Sequence, residues 1–136
     1  MNIAVVCTAI LASLVFILGM NVSRIRGQRE KSGATLFPTD PADGLLKAVR
    51  THGNATEYVP TLAILILFTG LGSPAPWVIA CILGATASRL LHVYGMLTAA
   101  TLAKRGMARY AGALGTYLFG LLLIVAALVQ PLPVVR

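Results

Sequence analysis

The chain has 136 residues, 57% of them hydrophobic and 11% charged, and its mean hydropathy is +0.84. An ordinary soluble domain is roughly 25% charged, so these figures exclude a disordered protein, argue against a soluble globular domain and leave room for about one domain. The +7 formal charge, from 11 Lys and Arg against 4 Asp and Glu, would form a broad basic face in a nucleic-acid binder. Beside long uncharged stretches it points instead to a membrane surface, and no nucleic-acid partner is expected.

The first element is the run Ile3–Ser23, which has no charged side chain. Its 21 residues make roughly 31 Å of helix, the hydrocarbon thickness of a bilayer. Nothing basic precedes the run and the basic residues follow it, unlike a secretory signal, so an uncleaved first span is expected. The connection after it holds Arg24, Arg26, Arg29 and Lys31. The loop Lys31–Asp43 is the longest connection, and its prolines and small polar residues suit a surface loop. Asp43 is placed to cap the second helix through its carboxylate.

The second span runs from about 43 to 71. Its segment Lys47–Pro60 (KAVRTHGNATEYVP) keeps Arg50, His52, Asn54 and Glu57, although a charged group near the bilayer core costs at least about 2.5 kcal/mol. At about 100° per residue, Arg50, Asn54 and Glu57 share one face, flanked by Lys47 and Tyr58. His52 points to the opposite side, and Gly53 and Ala55 beside it predict close helix approach there. Pro60 leaves a backbone acceptor free one turn back, near Thr56. Two readings of the stripe stand. In one it is an internal network, with Arg50 and Glu57 satisfying each other and Asn54 bridging to a neighbouring helix. In the other it binds a polar, charged ligand at the membrane boundary. Arg50 would hold a carboxylate through two N–H donors, Glu57 an amine, and Asn54 an amide, with the Tyr58 hydroxyl at the rim.

The short connection 72–76 is uncharged, and the third span runs from about 76 to 101. Arg89 and His92 share a face of it, Tyr94 points elsewhere, and Arg89 is placed to pair with Glu57. Gly84, Ala85 and Ala87 are small enough for tight packing. The next connection holds Lys104 and Arg105, with Arg109 just beyond. The fourth span, about 107 to 130, is uncharged from Tyr110 to Gln130. Its segment Leu118–Val129 lacks the polar face that a helix of a soluble bundle needs. Gly112, Gly115 and Gly120 read as packing positions. The two basic connections fall on one side in this count, which places them in the cytoplasm and both termini opposite. Arg136 is the one basic residue on the wrong side. Cys7 and Cys81 lie within spans without metal-ligand spacing and read as small buried hydrophobes. No metal is expected.

The run Arg50-Thr-His-Gly-Asn-Ala-Thr-Glu-Tyr-Val-Pro60 resembles the signature of the MAPEG proteins, the membrane-associated proteins in eicosanoid and glutathione metabolism. That pattern is Arg-x-His/Gln-x-Asn-x-x-Glu-Tyr at the cytoplasmic end of the second helix. Arg89-Leu-Leu-His92-x-Tyr94-Gly95 looks like the family's third-helix pattern. The resemblance covers nearly the whole chain and is nearest to the short bacterial branch. It implies an all-α integral membrane protein, a four-transmembrane-helix bundle forming a homotrimer in a bacterial inner membrane, with glutathione bound between subunits. Arg50, Asn54, Glu57 and Tyr58 match its glutathione-contacting positions, and His52 matches one that contributes in several members. Arg26 or Arg29 matches a basic residue of the first helix that meets a glutathione carboxylate, and Arg89 an arginine of the third-helix pattern. His92 stands where some members have tyrosine; with Tyr94 it completes the candidate binding set. In the family's transferases an arginine near the start of the fourth helix lies beside the thiol. Such a cation raises the thiolate fraction, and Arg105 matches best by spacing, Arg109 second.

The function this implies is a glutathione transferase or peroxidase acting on hydrophobic electrophiles that enter from the lipid. The alternative is a non-catalytic membrane protein, binding a metabolite or lipid or assembling with a partner, with the stripe as its contact site. A transporter ranks below both, because one small protomer without an inverted repeat offers little for alternating access.

Overall fold

The computed structural model describes residues 2–129 and contains four helices, α1 (Ile3–Ser32), α2 (Gly44–Gly70), α3 (Pro76–Thr98) and α4 (Met107–Val129). Gln130 and Arg136, assigned above to the end of the fourth span and the far terminus, lie outside the described residues. The helix starts follow local chemistry. Asn2 caps α1 by accepting from the Ala4 N–H, and Asp43 caps α2 by accepting from Leu45 and Leu46. Pro76 opens α3 at its first position, where its missing N–H costs nothing.

The first helix outruns the expected span. α1 continues past Ser23 for nine more residues to Ser32, because Arg, Gln, Glu and Lys are good helix formers even outside the bilayer. It stops at Gly33, whose φ of 69° suits glycine and whose N–H bonds back to Glu30. The third helix ends at Thr98 rather than 101. α2 runs unbroken through Pro60.

The helices alternate in direction. The Asn2 side chain donates to the Gly70 carbonyl, so the start of α1 meets the end of α2. At the other end the two basic connections touch. The Leu102 N–H donates to the Pro41 carbonyl at 2.9 Å, and the Lys47 ammonium to the Ala99 carbonyl at 3.0 Å. Both connections therefore occupy one end of the bundle, as the positive-inside reading requires.

Small residues set the close crossings. Ala4, Ala55, Ala85 and Ala126 are fully buried among Leu11, Ile66, Ile82 and Leu123. α3 and α4 approach backbone to backbone at Gly95 and Gly112. A methyl group on Gly95 would strike the backbone of Ala108 and Arg109, and one on Gly112 the backbone of His92. Gly84 is covered by the Phe119 ring and Gly115 by Ser88, whereas Gly120 makes only an ordinary contact with Leu62. The close approach expected at Gly53 is absent: nothing lies within 4 Å of its missing side chain. The tight contact on that side of α2 is made from the partner helix, where Gly19 of α1 leaves room for the His52 ring 3.2 Å away.

α1, α3 and α4 are each long and apolar enough to cross a membrane. α2 has the length, and the polar stripe in its first half makes it less apolar. Gly19 lies level with His52, so Ser23, at the end of the uncharged run, lies level with Ala48. Arg50 therefore sits near the boundary, and Glu57 about 13 Å inside it. The chain is a multi-pass integral membrane protein built as a four-helix bundle.

Candidate functional site

The polar stripe of α2 faces α3 and α4 and opens a cleft of about 420 Å³ lined by Val49, Arg50, Gly53, Asn54, Glu57, His92, Met96 and Arg109. Four candidates from the second- and third-helix patterns thus meet one arginine from the start of α4. Arg50 and Glu57 are exposed on the protomer, and no ion pair joins them. That removes the network in which they satisfy each other. Each keeps its full hydrogen-bonding capacity for a ligand.

Arg89 is the anchor beneath the cleft. It is 1% exposed and does not pair with Glu57 as its position suggested. Its guanidinium donates to the Asn54 side-chain oxygen at 2.8 Å and to the Asn54 carbonyl at 3.4 Å. It also lies 5.1 Å from the Tyr58 ring centroid, a cation–π distance. Glu57, three residues further along α2, makes no bond to the guanidinium, which the Asn54 amide holds instead. This bond occupies the Asn54 acceptor and leaves its NH₂ group as a donor.

His92 is 8% exposed and lies 2.9 Å through Nδ1 from the Arg109 carbonyl. A carbonyl only accepts, so Nδ1 carries the proton and Nε2 is the ring nitrogen left for another partner. This bond ties α3 to α4 where Gly112 lets the backbones meet.

The arginines matched to the thiol position, Arg105 and Arg109, lie at the start of α4, and Arg109 lines the cleft. Arg109 donates to the carbonyls of Leu102 at 3.2 Å and Lys104 at 3.0 Å, bracing the α3–α4 connection. Arg105 is exposed and stacks over the Tyr110 ring at 4.9 Å. It lines a separate pocket of about 290 Å³ with His92, Arg109 and Tyr117. Arg29 is bound to the Asp43 carboxylate and to the Thr35 carbonyl. That guanidinium holds the Asp43 carboxyl below its usual range and fastens α1 to the head of α2. Arg26 is exposed near the end of α1 and does not line the cleft. His52 faces Gly19 of α1, and Tyr94 is 62% exposed on the outer face of α3. Neither reaches the cleft, because helical phase turns each away from the stripe.

Tyr117 is the residue that sequence reasoning missed. Its hydroxyl lies 2.9 Å from that of Tyr58, and the rings meet edge to face with centroids 5.8 Å apart. The pair forms one end of an apolar groove of about 400 Å³ between α2 and α4, lined by Leu62, Leu65, Gly120, Leu121 and Ile124 among others. Glu57 borders both this groove and the polar cleft. A hydroxyl inside an otherwise aliphatic span was the available signal.

The MAPEG family profile matches residues 4–129. The chain belongs to the MAPEG family. Among curated proteins, this MAPEG member is 40% identical over 52 residues to "Inner membrane protein YecN" of Escherichia coli strain K12, and equally to the protein of that name in strain O6:H1. The match covers 38% of the chain and 40% of each relative, so the chain spans about two-fifths of the length of the curated relatives it matches. No solved structure matches. Membership accounts for the four-helix membrane architecture, and the family is one associated with glutathione metabolism. The likeness to inner membrane proteins agrees with a multi-pass protein of the inner membrane.

Proposed function

We propose that this MAPEG protein is a glutathione-dependent membrane enzyme. It joins the glutathione thiol to hydrophobic electrophiles, or uses the thiol to reduce hydroperoxides. The observation that carries the reading is the junction at Glu57 of a polar cleft of about 420 Å³ with an apolar groove of about 400 Å³. Both volumes fall within the range of small-molecule sites. A peptide with charged ends suits the first, and a lipid-soluble molecule suits the second.

The cleft has the groups that a peptide with two carboxylates and an amine requires. Arg50 offers a planar fork to a carboxylate, Glu57 an acceptor to the ammonium, and the Asn54 NH₂ a donor to an amide carbonyl. In the transferase reaction the thiolate sulfur bonds to the electrophilic carbon, and the leaving group departs with its electron pair. In the peroxidase reaction two glutathione molecules become the disulfide while the hydroperoxide becomes an alcohol and water.

Arg50 and Glu57 lie on the open face of the protomer, and Glu57 stands well inside the membrane boundary. Lipid contact for such groups is costly. A homotrimer in which a neighbouring copy covers this face meets that cost and closes the cleft. Its mouth then opens at the end bearing the basic connections, which the positive-inside rule assigns to the cytoplasm.

Calorimetry with glutathione on purified protein tests the reading. Wild type should bind, and Arg50→Ala and Glu57→Ala should each weaken binding about tenfold or more, the loss of a charge-assisted contact. Absence of binding by wild type would refute the glutathione assignment. A second reading, binding without turnover, draws on one observation: Arg109 commits two of its guanidinium N–H groups to backbone carbonyls. Binding with no conjugation across a panel of electrophiles and hydroperoxides would establish it.

A further inference from the structure

α1 turns one face away from the bundle. At about 100° per residue, Phe16, Met20, Ser23, Arg24, Gly27 and Lys31 share that face, opposite the buried Leu11, Leu18 and Val22. Phe16 is 74% exposed and Met20 64%, with Ile17 beside them. This apolar stripe ends at the membrane boundary, and the cations stand directly above it. We propose that the face holds an anionic phospholipid, its phosphate bound by Arg24 beside Gly27 and an acyl chain lying along Met20, Ile17 and Phe16. The site shares no residue with the cleft and does not depend on what the cleft binds.

Three observations carry it. First, Arg24 is held at the depth of the lipid headgroups. Helical side chains lean towards the N-terminus of their helix, which for α1 means towards the lipid. The Arg24 guanidinium donates to the Asn21 side-chain oxygen at 3.2 Å, one turn nearer the bilayer core. A long cationic side chain near a boundary ordinarily reaches outward to water; here an amide draws it the other way.

Second, the charge is uncompensated. One bond to Asn21 leaves most of the five N–H donors open, and among the described residues no carboxylate pairs with Arg24. Glu30, the one acid of α1, stands a turn above Arg26, whereas the residues a turn from Arg24 are Met20, Asn21, Gly27 and Gln28. A phosphate is the anion that a bilayer presents at this depth. With 11 basic residues against 4 acidic ones, a second copy of the chain has little to neutralise this face.

Third, there is room for a headgroup. Nothing lies within 4 Å of where a Gly27 side chain would begin, although glycine on an open helix surface weakens the helix relative to alanine. A helical side chain covers the turn before its own, so any larger residue at 27 would lie over Ser23 and Arg24. The notch left there is framed by the exposed Arg24, Lys31 and Ser23, two cations and a hydroxyl.

Brominated lipids, which quench tryptophan on contact, test the site in vesicles. Trp77 is the single tryptophan. Trp77→Phe with Phe16→Trp therefore puts one reporter on the stripe, and Trp77→Phe with Leu90→Trp puts one on the exposed side of α3. Each protein is reconstituted in phosphatidylcholine vesicles containing brominated phosphatidylglycerol or, at the same fraction, brominated phosphatidylcholine. The ratio of quenching gives the relative affinity of the two lipids at each reporter. At residue 16 the anionic lipid should be preferred about fivefold, the worth of one cation near a membrane surface. At residue 90 the preference should be less than about twofold, because the attraction fades within a Debye length. Arg24→Gln should bring the ratio at residue 16 close to one. Gly27→Leu, which changes no charge, should lower it at least about twofold by filling the notch. Should Phe16→Trp not fold, Ile17→Trp carries the measurement. Equal quenching by both lipids at residue 16, or a ratio that Arg24→Gln leaves unchanged, would overturn the site. The same preference at both reporters would overturn it in favour of the diffuse basic charge of the chain. No quenching by either lipid would overturn it in favour of a second copy covering the face.

Discussion

Asn54→Ala probes the contact that organises the site. Arg89 is buried, and its shortest bond is the 2.8 Å donation to the Asn54 side chain. Alanine leaves only the 3.4 Å contact to the carbonyl of residue 54 and the face of the Tyr58 ring. A hydrogen bond to a charged group is worth about 1.5–3 kcal/mol, whereas interhelical bonds within membranes average about 0.6 and reach about 1.7. The two ranges meet near 1.5 kcal/mol, which is the coupling expected between Asn54 and Arg89. Reversible unfolding in mixed micelles, followed by circular dichroism, measures it in the cycle of wild type, Asn54→Ala, Arg89→Met and the double variant. The parallel cycle with Glu57→Gln should give less than about 0.5 kcal/mol, within the range of additive sites. A Glu57–Arg89 coupling above 1.5 kcal/mol, or an Asn54–Arg89 coupling below 0.5, would refute the arrangement.

Three further outcomes follow from the packing and the charges. Gly112→Ala should destabilise the bundle by about 1–3 kcal/mol, because the added methyl meets the His92 backbone. Gly53→Ala, with open space around it, should be neutral or stabilising by up to about 1 kcal/mol; the same unfolding assay compares them. The Asp43 carboxyl is depressed below its ordinary 3.8, chiefly by its hydrogen bond to Arg29. Its contribution is therefore complete above that value and is lost as the pH falls through the lower folded value. Asp43→Asn keeps the helix cap but should remove this acid-dependent part of the stability curve. For topology, Ser32→Cys and Ser73→Cys should react with a membrane-impermeant maleimide from opposite sides of the membrane, with Ser32 on the cytoplasmic side. The native Cys7 and Cys81 are buried and should stay unlabelled; labelling of both introduced residues from one side would overturn the alternating arrangement.

Hydropathy and charge were enough to locate the helices. An uncharged run as long as a bilayer is thick has one stable conformation in lipid, where every backbone polar group needs an internal partner. The Asp43 cap was legible for the same reason, since capping depends on the next two or three residues only. So was the stripe, because residues one helical turn apart share a face wherever the helix is placed. Arg50, Asn54 and Glu57 do line one cleft. Even the MAPEG resemblance rested on local spacing within α2 and α3.

What sequence alone left open depends on how far the helices are shifted and turned against one another. Periodicity placed Arg89 and Glu57 on facing surfaces, yet the register of α3 against α2 brings Asn54 to the guanidinium first. It gave Gly53 a packing role, but the glycine that admits a neighbour is Gly19, on the other helix. The resemblance matched Arg29 and Arg109 to ligand positions; the structure shows that within the protomer Arg29 also binds the Asp43 carboxylate and Arg109 two backbone carbonyls. The extension of α1 past the membrane was equally hidden, because hydropathy marks where lipid ends and not where a helix does. Tyr58 and Tyr117, 59 residues apart, form a pair only because α2 and α4 converge around the glycine-lined contact of α3 with α4. Local chemistry determined the helices and their polar face; the register between helices, set by where small residues let backbones meet, decided which polar groups are spent on the fold and which remain free for a ligand.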